Sequence, residues 1–429
     1  MADRTGTLEE SIVTDDTTSS VSPLLSRRNF LRAGVLGAAG TGVAMYASKQ
    51  APRAAAAAPT FVPTKTDEVH LVGTDGWVSM PTSAPPVDPY WPDPWAPAPY
   101  NMYVFGFRNV TGLSDAQVIS QRGLAQISAP LLAFDEGSEV KISLTNLGLS
   151  MRPDLVDGHT MHWHGFNNAL PIFDGVPEMS ASVPLGKTMI YYYRPHDAGT
   201  FMYHCHFEDV EHVQMGMTGM VFVRPKMNAN GNRYAYNDVR TKYDREFPLF
   251  LSENQPESHW RDAHIQITDW ASYDPGFSLF NGRAYPDTLE GTFDPMTAYP
   301  AGSVGERLRY QPQGSVITAN AGETILLRIA SLGYIRHTLT IDGVPLHVVG
   351  ADATQLIGVD GNDNSYVTNS VDVGPGESRD VLFTAPAPGT YKVYDRNFSN
   401  LSNDGGGGYG GMLTELRVSA PGTLPAQAR

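Results

Sequence analysis

Histidine recurs in this chain in alternating strings, His159-Thr-Met-His162-Trp-His164-Gly165 and His204-Cys205-His206, the second followed by His212 and Met217. Such spacing lets the side chains act together only on extended backbone, where successive residues point to opposite faces. His162 and His164 then share one face, and His159, of opposite parity, takes the other. His204 and His206 likewise share a face, with Cys205 pointing away from them. The chain is therefore expected to pair these strings as β-strands, gathering four imidazoles on one side and His159, Cys205, His212 and Met217 on the other.

The second set has a recognisable chemistry. Two imidazoles, one thiolate and a weak axial thioether are the donors of a blue, type 1 copper centre, suited to one-electron transfer. Met217 is favoured as the thioether because it lies five residues after His212, with Met215 as the alternative. Cys205 reads as a ligand, not a nucleophile. Its covalent neighbours His204 and His206 give an electron a short through-bond route to metal on the opposite face. The remaining methionines near these strings, Met151, Met161, Met179, Met189, Met202 and Met220, read as core or gap-filling residues. His70, His196, His259, His264, His337 and His347 stand alone, and each is by default structural or on the surface.

Composition supports an all-β chain. Forty-two glycines and 32 prolines punctuate short Val, Ile, Tyr and Phe runs, the pattern of Greek-key barrels or sandwiches. One cysteine excludes intrachain disulfides, and metal ligation is a reason to keep it unpaired. A formal net charge of −15 argues against nucleic acid as a partner. The string Ser26-Arg-Arg-Asn-Phe-Leu-Arg32, followed by an apolar stretch and an alanine-rich segment, reads as a twin-arginine signal over residues 1–58. The protein would then be exported to the periplasm, cell surface or exterior, with no membrane span in the mature chain.

The His159–Gly165 string resembles the H-x-x-H-x-H-G pattern of the multicopper oxidases, the laccase-like family built from cupredoxin domains. Asp174-Gly-Val-Pro-Glu-Met-Ser, Pro184-Leu-Gly and Ala198-Gly-Thr-Phe-Met-Tyr-His-Cys-His also follow a first domain of that family. The resemblance implies type 1 ligands His159, Cys205, His212 and Met217, and cluster ligands His162, His164, His204 and His206 for type 2 or type 3 copper. Two departures stand out. Five residues, not the commoner three, separate His206 from His212, with Val210 at the common position, as in some two-domain members with type 1 copper in the first domain. A full trinuclear cluster takes eight histidines, and no further H-x-H exists in this sequence, a deficit that trimerisation of identical copies does not repair.

The segments around Phe280-Asn-Gly-Arg, His337-Thr-Leu-Thr-Ile-Asp-Gly-Val-Pro-Leu-His347 and Val373-Gly-Pro-Gly-Glu resemble the copper-free middle domain of three-domain laccases. The expected organisation is two cupredoxin-like Greek-key β-barrel or sandwich domains after the export signal. The copper-binding domain spans 59–228, a linker 229–245, a second domain without evident copper ligands 246–420, and a tail 421–429. His337 and His347 read as structural, with a reach to a neighbouring subunit's copper as the alternative in a homotrimer.

The function implied is an exported copper oxidoreductase. A small reducing substrate gives electrons at type 1 copper, near an exposed edge of His212, and dioxygen is reduced at His162, His164, His204 and His206. Glu208, Asp209 and Glu211 read first as a solvated acidic turn, with the supply of protons or of hydrogen bonds to the ligand imidazoles as the alternative. A blue-copper electron carrier or copper-binding protein without turnover is the alternative. Nitrite-reductase-like chemistry is disfavoured, because His162 replaces the acidic residue that it expects and His206 has no role in it.

Overall fold

The computed structural model describes residues 65–82, 87–166 and 169–428. The expected signal at 1–58 lies outside them. Eight strands make the first barrel: β1 (Thr66–Val78), β2 (Met102–Asn109), β3 (Leu132–Asp135), β4 (Glu139–Gly148), β5 (His162–His164), β6 (Thr188–Tyr193), β7 (Gly199–His204) and β8 (Thr218–Arg224). They form two four-stranded sheets, β2-β1-β4-β6 and β3-β8-β7-β5. Strand β4 shows why: its residues alternate half-buried and buried along its whole length, the signature of a sheet with one face on a core. Between the sheets lies a core of Tyr103, Phe105, Phe107, Trp163, Tyr191, Tyr193 and Tyr203, and Cys205 and Met217 belong to it.

The second barrel has twelve strands: β9 (Arg245–Asn254), β10 (Phe277–Phe280), β11 (Ile317–Asn320), β12 (Thr324–Ser331), β13 (His337–Ile341), β14 (Leu346–Ala351), β15 (Thr354–Gln355), β16 (Tyr366–Thr368), β17 (Val371–Val373), β18 (Ser378–Thr384), β19 (Gly389–Asp395) and β20 (Leu413–Ser419). One sheet runs β10-β9-β12-β18-β14-β15, with β16 on β14, and the other β11-β20-β19-β13-β17. Its core is aliphatic, built on Leu249, Leu251, Ile325, Leu327, Ile329, Val348 and Val381. Among the described residues no helix is long and apolar enough to cross a membrane.

The stretch expected as a linker is not a tether. Ala235, Tyr236 and Tyr243 are buried against Ala198 of the first barrel and Leu326 and Leu382 of the second. Polar contacts lock the same junction. Arg328, fully buried, lies 3.0 Å from Glu246 and 3.4 Å from Asp380. Asp380 in turn accepts from Thr200 of β7 at 2.6 Å and from the Tyr236 hydroxyl at 2.5 Å. The tail is anchored too, since Gln427 accepts from the Glu246 amide at 2.9 Å and the Leu424 carbonyl accepts from Asn320 at 3.0 Å.

Candidate metal centre

Strands β5 and β7 pair antiparallel, with His162 opposite His204, Trp163 opposite Tyr203 and His164 opposite Met202. Alternation turns Trp163 and Tyr203 into the core and leaves the histidines on the other face. His206, one residue beyond the cysteine, joins them: its ring centroid lies 5.2 Å from that of His162 and 5.4 Å from that of His204. Ligand nitrogens of His162, His164 and His204 all lie within 4.8 Å of one another.

Hydrogen bonds orient these rings. His162 Nδ1 lies 2.6 Å from the carbonyl of Asp174, and His204 Nδ1 lies 2.8 Å from the carbonyl of Cys205. A carbonyl only accepts, so each Nδ1 carries the proton and each Nε2 presents a lone pair. His204 Nε2 faces His164 Nδ1 at 3.5 Å. Burial, with the neighbouring histidines, holds His204 down to about 3, and burial also lowers His162 and His164. At neutral pH all three are therefore neutral imidazoles, the ligand form.

On the other side of the strand, donor atoms of His159, Cys205 and His212 lie within 4.8 Å of one another, all three residues buried. Cys205 Sγ is 3.2 Å from His212 Nδ1 and 3.5 Å from the Thr160 amide, which donates to it. Backbone bonds tie the set: the Cys205 amide donates to the Met217 carbonyl at 3.0 Å, and the Met217 amide to the His212 carbonyl at 2.9 Å. A Cβ placed on Gly73 of β1 would meet His159 Cδ2 at 2.6 Å and Met217 Cε at 3.1 Å, so His159 and Met217 flank one gap that only glycine leaves open. All eight residues expected from the sequence are thus assembled, four on each side of β7.

The donor set fits a metal. Both ring nitrogens of His159 are buried without a hydrogen-bond partner, a costly arrangement unless a cation takes the lone pair of one of them. Burial opposes ionisation of Cys205, but His212 and His159 outweigh it and hold the thiol well below its usual range. Burial likewise opposes charging of His212, yet Cys205 and Asp157 raise it to about 10. A thiolate facing protonated imidazole is a pair in which a cation can replace the proton.

The structure adds and corrects detail. The acidic stretch expected as a turn is a helix, Asp209–Met215, and His212 within it is fully buried, with no exposed edge. Its Nε2 faces Asp157 Oδ2 at 3.8 Å, and Asp157, Glu208 and His212 converge within 4.8 Å. Asp157 was missed by the sequence reading, although it shares the parity of His159 two residues on. His337 is buried with Nδ1 2.6 Å from Asp395 and Nε2 2.5 Å from Glu253, and His347 bonds Ser365 at 2.7 Å. Both ring nitrogens of His337 are thereby engaged by carboxylates of its own barrel.

Known proteins resemble this chain in sequence and in fold. Residues 112–228 and 260–410 match two family models, each described as multicopper oxidase. Laccase-5 of Arabidopsis thaliana is 28% identical over 279 residues, 64% of this chain and 41% of the relative. L-ascorbate oxidase of Nicotiana tabacum is 27% identical over 271 residues, 60% of this chain and 41% of the relative. The chain thus spans about two-fifths of the length of these curated relatives. The crystal structure of blue copper oxidase from Nitrosomonas europaea superposes with a TM-score of 0.59 at 21% identity, covering 82% of this chain and 86% of that one, so the two share the cupredoxin-like fold. The chain belongs to the multicopper oxidase family.

Proposed function

We propose that this protein is a copper-dependent oxidoreductase that takes electrons singly from a small reducing donor and delivers them to dioxygen. His159, Cys205, His212 and Met217 would hold type 1 copper, and His162, His164, His204 and His206 copper of type 2 or type 3. Bound copper would supply reversible one-electron redox chemistry at the first set and an oxygen-binding centre at the second. The observation that carries this reading is the placement of Cys205: its Sγ lies in one donor set, 3.2 Å from His212 Nδ1, while its covalent neighbours His204 and His206 belong to the other.

The chain's own groups do the rest. The carbonyls of Asp174 and Cys205 fix the tautomers of His162 and His204, aiming Nε2 at the shared centre. The amide of Thr160 holds Sγ, and its hydroxyl accepts from the His206 amide at 2.9 Å, tying the two donor sets together. His212 is fully buried, and Asp157 and Glu208 each bring a carboxylate oxygen within 4.8 Å of its ring nitrogen. Electrons would enter on this side, where the carboxylates suit neutral or cationic donors.

A second reading rests on the absence of any further H-x-H string in the sequence. The four imidazoles would then hold a smaller copper site, and the protein would carry electrons without reducing oxygen. Oxygen consumption with a phenolic dye separates the two: sustained uptake supports the oxidase, and a blue protein without uptake supports the carrier. Export follows as a further proposal from the twin-arginine string Ser26–Arg32, testable by locating the chain in cell fractions with Arg27 and Arg28 intact or replaced by lysine.

A further inference from the structure

The helix that carries His212 is too short to hold itself in place. Asp209–Met215, here α1, has seven residues, its N-cap Glu208 sits in left-handed conformation at φ 47, and no side chain caps it. An isolated helix of this length is unstable in water, so tertiary contacts must set its position. The first barrel supplies some of them. A Cβ on the following Gly216 would meet Ile127 Cγ2 at 2.4 Å and the Phe105 carbonyl at 2.7 Å, and the Phe105 ring lies edge-on to His212 at 5.7 Å.

The second barrel supplies the polar ones. Gln214 Nε2 donates to the Glu253 carbonyl at 3.2 Å, and the Tyr334 hydroxyl donates to the carbonyl of Val210. The Tyr334 amide donates back to Glu253 Oε2 at 2.7 Å. Glu253 is itself pinned, with its other oxygen 2.5 Å from His337, which Asp395 holds from the far side at 2.6 Å. His337, Glu253 and Asp395 have fully buried side chains. A rigid polar post in the core of the second barrel thus ends on both turns of the helix bearing His212.

We propose that the second barrel, which contributes no donor to either set, positions the His212 helix, and that Tyr334 is the positioning residue through which it does so. The inference rests on the type 1 reading for its consequence at copper, but not for the contact itself. Through α1, Tyr334 sets the distance and angle at which His212 Nδ1 meets Cys205 Sγ, and so the spectrum and potential of the metal placed there.

The test is Tyr334→Phe, which keeps the ring and removes the hydroxyl, with Tyr391→Phe as control. The Tyr391 hydroxyl donates to the Ala387 carbonyl at 2.9 Å, within the second barrel. In the copper-free full chain, amide hydrogen exchange across 209–215 is expected to quicken about five- to tenfold in Tyr334→Phe, with the strands of both barrels unchanged and Tyr391→Phe like wild type. In the copper-loaded protein the blue band should shift with copper content unaltered. Unchanged exchange in the helix overturns the proposal, as does quickening spread evenly over both barrels. A wild type without a blue band overturns the type 1 reading, and the exchange result still decides whether Tyr334 holds the helix.

Discussion

His162 and His204 stand directly opposite each other on β5 and β7, their ring centroids 5.2 Å apart. That pairing is set by backbone register, and a slip of one residue would turn both rings into the core and Trp163 and Tyr203 out. Replacing His162 and His164 together by alanine is therefore expected to leave strand pairing intact. Oxygen uptake should fall at least a hundredfold while the blue absorption persists, as an oxygen electrode and a visible spectrum will show. Bleaching by this double change would mean that the two donor sets are sorted wrongly.

Cys205→Ser tests the other face. Serine fits the space, but its hydroxyl cannot give the intense sulfur-to-copper absorption of a blue centre. The variant should fold, bind less copper and be colourless. A Cys205→Ser protein that stays blue contradicts the type 1 assignment.

Gly73→Ala asks whether the gap between His159 and Met217 matters. The added methyl would sit 2.6 Å from His159 Cδ2, inside van der Waals contact with a buried ring that has little room to retreat. The expected result is a displaced blue band and a weaker hold on copper, with a loss of about 1–3 kcal/mol in stability. Titration with copper and thermal unfolding measure both. An unaltered spectrum would show that His159 is not a ligand.

His337 makes stability depend on pH. Burial works against its charge, but Asp395 and Glu253 raise it from 6.5 to about 9. Its folded pKa lies above its unfolded one, so its contribution is fully present below about 6.5 and is lost as pH rises through about 9. A shift of this size corresponds to the order of 3 kcal/mol. Urea unfolding of wild type and His337→Gln at pH 6 and pH 10 should give a large difference at the lower pH and a small one at the higher. Equal differences at both would show that the imidazole is not charged in the fold.

Arg328 is the matching test between the barrels. Arg328→Met leaves Glu246 and Asp380 buried beside it without their shared cation, expected to cost about 3–5 kcal/mol. Urea unfolding gives the number, and a loss below about 1 kcal/mol would show that Arg224 and Tyr236 suffice to hold the two carboxylates.

Both donor sets were legible in the sequence because period-two alternation acts over a few residues and needs no tertiary information. His162, His164, His204 and Cys205 could be sorted by parity alone. What escaped depends on contacts distant in the chain. The acidic stretch before His212 carries no cap and makes a helix only because both barrels grip it, so it read as a turn. The same grip buries His212, which the sequence placed at an exposed edge. Residues 229–245 looked like a linker from their polarity, yet Tyr236 and Tyr243 carry the segment into the junction between barrels. The lone His337 gave no hint of its two carboxylate partners, which come from strands 84 and 58 residues away in sequence.

The most direct test of the account is anomalous diffraction at the copper edge from crystals of the copper-loaded protein. The account predicts metal on both sides of Cys205: one peak among Sγ, His159 Nδ1 or Nε2 and His212 Nδ1, and another among the imidazoles of His162, His164, His204 and His206. Copper confined to the four imidazoles, with none at Cys205 Sγ, would contradict it.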